Sequence, residues 1–163
     1  MNEDRDIKNY ERLAEKTKQM FESGKDKSAA WIDETLAKAA EQLEEAGELT
    51  KEEGQRAKEF LRKDLEATKE DFEKASQAAK RALDPSRAGA GFASLASHLF
   101  DVLGDTFKAW AARSEEAVAF HTGQITGPGT LTCKACGTEL HLDHTARIPP
   151  CPKCHKTDYR KSY

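Results

Sequence analysis

The chain has 163 residues, of which 34% are charged, 37% hydrophobic and only 7% aromatic, so it can bury a modest core and form one ordinary domain or two small ones. Its formal charge of −3 is split unevenly: residues 1–120 hold 20 Lys and Arg against 26 Asp and Glu, and residues 121–163 hold 6 against 3. No broad basic face announces nucleic acid, no run of 18 apolar residues is present to span a membrane, and the opening MNEDRDIKNYERL has no apolar leader segment.

A helical spacing runs through Tyr10, Leu13, Thr17, Met20, Gly24, Ser28, Trp31, Thr35, Ala39, Leu43 and Ala46, which lie three or four apart roughly as heptads do. Several of these residues are small or polar, so the seam is weak. Ser23-Gly24-Lys25-Asp26 can stop one helix and start another, yet the phase continues across Gly24. One kinked helix and two separate helices both fit.

Gly47 suits the left-handed position that ends a helix. Thr50-Lys51-Glu52-Glu53 then matches a capping box. The accompanying hydrophobic staple is missing, because the expected partner of Leu49 is Gly54. The helix started there carries Ala57, Leu61, Leu65, Thr68, Phe72, Ala75, Ala79 and Leu83. It is expected to end at Asp84-Pro85, since the residue before proline avoids helical dihedrals. A helix of that reach would be about 50 Å long.

After Pro85 the apolar bulk rises. Phe92, Leu95, Ala96, Leu99, Leu103, Phe107 and Trp110 form one stripe at helical spacing, with Phe100 and Val102 beside it. Packing of this helix on the earlier ones, to complete a bundle, is the preferred reading. Membrane-surface helices carry many Lys and Arg on their polar face. Here the polar residues include Asp101, Asp105, Glu115 and Glu116, so a groove for a protein partner fits better than lipid. His121 to Gly129 holds three glycines and a proline in nine residues, which is turn chemistry. Three segments follow: a charged α-helical hairpin or bundle at 1–120, a Gly/Pro hinge at 121–129 and a small cysteine-bearing unit at 130–163.

All four cysteines lie in that last unit, as Cys133-x-x-Cys136 and, after fourteen residues, Cys151-x-x-Cys154. Paired Cys-x-x-Cys turns can deliver four thiolates to one tetrahedral zinc. Gly137 lets the chain leave the first turn with positive φ, and Pro149, Pro150 and Pro152 stiffen the second. Glu139-Leu140-His141-Leu142 alternates as a strand does, and Leu131 and Ile148 are further strand candidates. Together these describe a zinc ribbon of short β-strands, folded by one structural zinc ion held by Cys133, Cys136, Cys151 and Cys154. A thioredoxin-like redox site needs a single pair beside a βαβ pattern, which is lacking. A disulfide framework needs an oxidising compartment, and a catalytic zinc keeps an open position.

Lys134, Arg147, Lys153, Lys156, Arg160 and Lys161 form a candidate binding rim, thin beside nucleic-acid patches and equally readable as a solvated surface easing the thiolate charge. His155 could compete as a ligand, but the cysteine set is complete without it. His141 and His144 would face opposite sides of a strand, His121 is expected to cap the preceding helix, and His98 to lie on a polar helix edge. No Ser/His/Asp set and no phosphate-binding glycine loop is present, and the many carboxylates read as solvated helix faces.

The stretch HTGQITGPGTLTCKACGTELHLDHTARIPPCPKC resembles the signature of the YbeL-like, zinc ribbon-containing bacterial proteins: a His-x-Gly turn, Pro-Gly before Leu-x-Cys-x-x-Cys-Gly, then Ile-Pro-Pro-Cys-Pro-x-Cys. The resemblance is specific over residues 121–160. It implies a small cytoplasmic protein whose four cysteines hold zinc, and no activity. A helical hairpin joined to a four-cysteine finger also resembles, in architecture, the RNA polymerase secondary-channel factors of the DksA type. Those factors present paired aspartates at the hairpin tip, whereas Glu44-Glu45-Ala46-Gly47-Glu48 has none. The expected function is a non-catalytic zinc-binding adaptor with a protein partner and helices able to self-associate. The alternatives are a transcription-associated regulator contacting RNA polymerase or nucleic acid and, last, a thiol-redox enzyme.

Overall fold

The computed structural model describes residues 3–24, 28–68, 91–111 and 118–162. Helix α1 (Glu3–Ser23) and helix α2 (Ala29–Glu45) are separate, which decides between the two readings of Gly24. The Ser28 hydroxyl accepts from the Trp31 amide and caps α2. At Gly24 a Cβ would lie 2.1 Å from the Trp31 ring. Glycine thus clears room for Trp31 to meet Phe21 edge-on, with centroids 4.6 Å apart. The heptad phase survives the break because both helices bury the same stripe, including Leu13, Thr17, Thr35 and Ala39.

Helix α2 ends in a Schellman motif: Gly47 has φ 72, its amide donates to Glu44 O, and the Glu48 amide reaches back to Leu43 O. Helix α3 (Lys51–Ala67) opens on the expected capping box, with both reciprocal bonds between Thr50 and Glu53 formed. The Thr50 amide holds the Glu53 carboxyl below its ordinary range. Leu49 is buried without a staple partner, and Gly54 lies against the Glu44 side chain. Pairs along the helices set their directions. Phe21 meets Trp31 near one turn while Arg12 approaches Glu48 near the other, and Asp33 pairs with Arg62, so α2 runs antiparallel to both α1 and α3. The expected continuation of α3 through Phe72 to Pro85 lies outside the described residues.

The apolar stripe after Pro85 forms two helices. Helix α4 (Gly91–Leu103) stops at Gly104, whose φ is 44, and α5 (Asp105–Ala111) follows. The 3.6-residue phase runs through Gly104, so periodicity alone could not reveal the break. All seven stripe residues, from Phe92 to Trp110, are buried. Helix α4 packs on α1, and α5 packs on α2 and α3. The stripe therefore faces the bundle, and no helix among the described residues is long and apolar enough to cross a membrane.

The C-terminal layer contains β1 (Phe120–His121), β2 (Ile125–Thr126), β3 (Gly129–Cys133), β4 (Glu139–Leu142), β5 (Ala146–Arg147) and β6 (Asp158–Ser162). An antiparallel sheet runs β1-β6-β3-β4, and β2 pairs with β5 separately. Glu139–Leu142 and Leu131 sit on the strands expected of them, while Ile148 is buried just after β5. Strand β6, which lies inside the sheet, is not anticipated by the sequence reading, because Asp158-Tyr159-Arg160-Lys161-Ser162 is mostly charged.

Residues 121–129 are not a free hinge. They hold turns, but also the end of β1 and all of β2. Ile125 is buried in the helical core, and Gly127 packs so closely on Phe92 that a Cβ would lie 2.7 Å from its ring. In return Ala67 of α3 joins the ribbon cluster of Phe120, Leu131, Ile148 and Tyr159. Each core therefore contains a residue from the other layer.

Candidate metal centre

The two Cys-x-x-Cys turns repeat one backbone pattern. In the first, the Cys133 amide donates to Thr138 O and the Gly137 amide to Cys133 O; in the second, Cys151 donates to Lys156 O and His155 to Cys151 O. Gly137 and His155 occupy the same place and share a left-handed backbone, with φ 72 and 58. That conformation turns the chain back after each pair and leaves two sulfurs facing one point. It also explains His155, which is exposed and serves the turn, with no part in the sulfur cluster.

Across the turns, Cys133 Sγ lies 3.6 Å from Cys154 Sγ, and Cys136 Sγ lies 3.6 Å from Cys151 Sγ. All four sulfurs fall within 4.8 Å of one another. Zinc–sulfur bonds of about 2.3 Å in a tetrahedron require edges of about 3.8 Å, so the cluster fits one zinc with all four corners taken by thiolates. Cys133 and Cys151 are buried, and Cys136 and Cys154 are half-buried.

The thiols differ in acidity. The Thr138 hydroxyl, 3.2 Å from its sulfur, and the Thr138 amide bring Cys136 down to about 6. The Lys156 amide favours the Cys154 thiolate, but burial and the three other sulfurs outweigh it and push Cys154 up to about 12. Four sulfurs this close cannot all ionise unaided; a dication supplies the missing charge, and its binding releases protons. Tyr159 backs the cluster, and burial beside the sulfurs raises its phenol, which donates to Pro149 O at 2.9 Å.

A family model described as a zinc-ribbon containing domain matches residues 19–162. The chain belongs to this family. No curated protein and no solved structure matches the chain. The family has no established function, and membership makes the four cysteines those of a zinc ribbon, in agreement with the resemblance read from residues 121–160.

Around the ribbon, the candidate rim divides. Lys134, Lys153, Lys156 and Arg160 are exposed, the first two inside the Cys-x-x-Cys turns themselves. Arg147 and Lys161 do not belong to an outer rim. Arg147 is half-buried, bonding Asp6 of α1 at 2.7 Å and Gly123 O. The Lys161 side chain is wholly buried. Its three protons go to Asp64 Oδ1 at 2.8 Å, Thr126 Oγ1 at 2.6 Å and Gly127 O at 2.8 Å. Its ammonium also lies over the Phe92 and Phe120 rings. Asp64 in turn accepts from the Tyr10 hydroxyl, from Thr126 Oγ1 at 2.6 Å and from the Gly127 amide at 2.7 Å. A third joint links Glu11 to the Thr145 hydroxyl and to the Gly91 amide at 2.8 Å, and burial raises the Glu11 carboxyl despite those bonds.

Every one of these joints sets an acid of the helices against a donor of the ribbon. Part of the charge asymmetry between the two halves is therefore satisfied within the molecule. Asp64 carries a signal in the sequence, since it falls three residues after Leu61 on the buried stripe. Lys161 lies two residues after Tyr159 and so shares its inward face. Of the histidines, His121 sits on β1 and meets Asp158 across the strands at 2.8 Å. His141 and His144 are exposed, away from the sulfurs, and the Nε2 atom of His98, on α4, is buried.

Proposed function

We propose that this zinc ribbon protein is a non-catalytic binding module that holds one zinc per chain and presents the ribbon surface to a protein partner. The observation that carries the reading is the closed set of four thiolates. With every tetrahedral corner occupied by protein, the metal offers no position to a substrate or a water, and its role is to hold shape. Burial of the apolar helix stripes among the described residues directs attention away from the helices and toward the ribbon, where Lys134, Lys153, Lys156 and Arg160 stand exposed. These cations suit an acidic protein surface. The absence of a free coordination site argues equally against thiol-redox chemistry while zinc is bound.

The test has two arms. Metal analysis of native protein should give one zinc per chain, with no thiol reacting before denaturation; two reactive thiols would return the redox enzyme to favour. Cross-linking in cells, compared between wild type and a variant with the four exposed cations changed to glutamate, should lose one defined protein partner. Because the same cations could touch phosphate, binding to RNA polymerase and to nucleic acid should be measured at two salt concentrations. Salt-sensitive nucleic-acid binding with no protein partner would favour the transcription-associated reading instead.

A further inference from the structure

We propose that zinc occupancy is read out in the helical layer through the buried Asp64–Lys161 pair, so that losing the metal unlatches the ribbon and opens the face of α1, α3 and α4 around Tyr10 and Phe92. This rests on the zinc ribbon itself and not on the adaptor reading.

Chain connectivity supplies the coupling. Lys161 lies two residues beyond Tyr159 on β6, about 7 Å along the strand. Tyr159 stands opposite Cys133 in the register and packs in the sulfur-bearing cluster. Thr126 and Gly127, the other ribbon members of the latch, are tied to both cysteine turns. Gly127 leads through β3 into Cys133, and Thr126 pairs with Ala146 on β5, five residues before Cys151. Each ribbon group in the latch is therefore joined to a cysteine turn by the chain or by strand pairing.

The helical side depends equally on the latch. Asp64 and Lys161 are both fully buried; Asp64 accepts from Lys161, Thr126 and Gly127 of the ribbon as well as from Tyr10, and Lys161 takes its charged partner from the helices. A buried carboxylate or ammonium deprived of its partners is strongly unfavourable. When the ribbon loosens, the least costly response is to hydrate Asp64, which requires α3 to part from α1 at Tyr10 and from the Gly127–Phe92 contact. The contact between Phe21 and Trp31 shares no bond with this network and stays closed. The opened face combines an acidic side chain with the aromatic rings of Tyr10 and Phe92, a surface the zinc-bound protein hides.

Hydrogen exchange on the full-length chain, with zinc and after chelation, tests this. Amides of α1 near Tyr10 and of α3 near Leu61 to Leu65 should exchange at least about tenfold faster without zinc, while those of α1 near Phe21 and of α2 near Leu43 should change by less than about threefold. Deprotection confined to the ribbon, or equal deprotection of all helices, would overturn the proposal. The first means the helices do not sense the metal; the second means zinc supports the whole fold without a latch. A zinc-loaded Asp64→Asn variant sharpens the result. It should show faster exchange near Tyr10 with zinc still bound, and chelation should add less than about twofold there. A full chelation response in that variant would show that the coupling bypasses the pair. If the variant does not fold, the wild-type exchange pattern decides alone.

Discussion

The helical layer and the ribbon solve the same problem with different materials. The helices bury a long stripe of ordinary apolar residues, from Leu13 and Leu36 to Leu99 and Trp110, and packing and caps supply most of their support. The ribbon cluster has Phe120, Leu131, Ile148 and Tyr159 around two of the sulfurs, too little to fold a segment of its size. One layer is held by area removed from water, the other by a metal. The contrast teaches where each will fail. A chelator attacks the ribbon directly and the helices only through whatever joins them.

Zinc removal should therefore have the largest effect. Structural zinc in small cysteine-rich units contributes about 10–16 kcal/mol of apparent binding energy, and the ribbon has no apolar reserve to replace it. A Cys151→Ser variant, read by near-ultraviolet circular dichroism of Tyr159 and by cobalt substitution, should lose both the ribbon signal and the thiolate–cobalt bands. Far-ultraviolet helix content should largely remain. Acid should act in the same direction. Each thiolate released must take up a proton, so a given chelator should strip the metal more readily at about pH 5 than at about pH 8. A metal-free chain with an unaltered Tyr159 signal would erase the distinction between the layers.

The joint between the layers comes next. Lys161→Ala should cost about 3 kcal/mol, the low end for breaking a buried pair, because Tyr10, Thr126 and Gly127 still donate to Asp64. Asp64→Ala should cost more, about 5 kcal/mol, because it leaves a buried ammonium with only neutral acceptors. Denaturant unfolding of the zinc-loaded proteins checks both the size and the order. The reverse order would mean that the aspartate is held by its neutral donors and that the ion pair is incidental.

What the sequence discloses follows the same division between local and distant causes. The cysteine spacing, the Thr50–Glu53 box and the alternation in Glu139–Leu142 each declare themselves within a few residues, and each is found in place. The membrane-like stripe from Phe92 to Trp110 is legible as apolar but not as broken, since Gly104 interrupts the backbone without interrupting the phase. The latch is illegible in another way. Asp64 and Lys161 are 97 residues apart, and a charge on a stripe or a lysine on a short charged strand has meaning only once its partner is known. For the same reason Arg147 and Lys161 look like rim cations until the helices are placed beside them, and the glycines of 121–129 look like a hinge until Asp64 and Phe92 close on Thr126 and Gly127.

Smaller changes probe the local devices of each layer. In the helices, Thr50→Ala removes the side-chain acceptor for the Glu53 amide and should cost about 1 kcal/mol, seen as a shift in the denaturation midpoint without a change in slope. Zinc affinity should not move, since the cap lies far along the chain from the ribbon and shares no bond with it. A change in zinc affinity would mean that the helical layer is read by the metal as strongly as the metal is read by the helices.

In the ribbon the matching probe is the exit of each cysteine turn. Gly137 and His155 hold the same left-handed backbone, but only histidine has a Cβ there, at a cost of about 1–2 kcal/mol for an L-residue. Histidine is among the residues that tolerate this region best, so part of that cost is already relieved. Glycine brings its own penalty of about 0.5–1 kcal/mol through the freedom of the unfolded chain. The difference predicts that His155→Gly tightens zinc binding by less than about tenfold, or about 1 kcal/mol, and that Gly137→Ala weakens it by a similar or larger factor. Nothing lies within 4 Å of a Cβ at Gly137, so the loss would come from backbone conformation alone. Competition against a fluorescent chelator measures both. If His155→Gly instead weakens zinc binding, the imidazole contributes to the second turn by some route other than its backbone, and the two halves of the metal site are less alike than their hydrogen bonds make them.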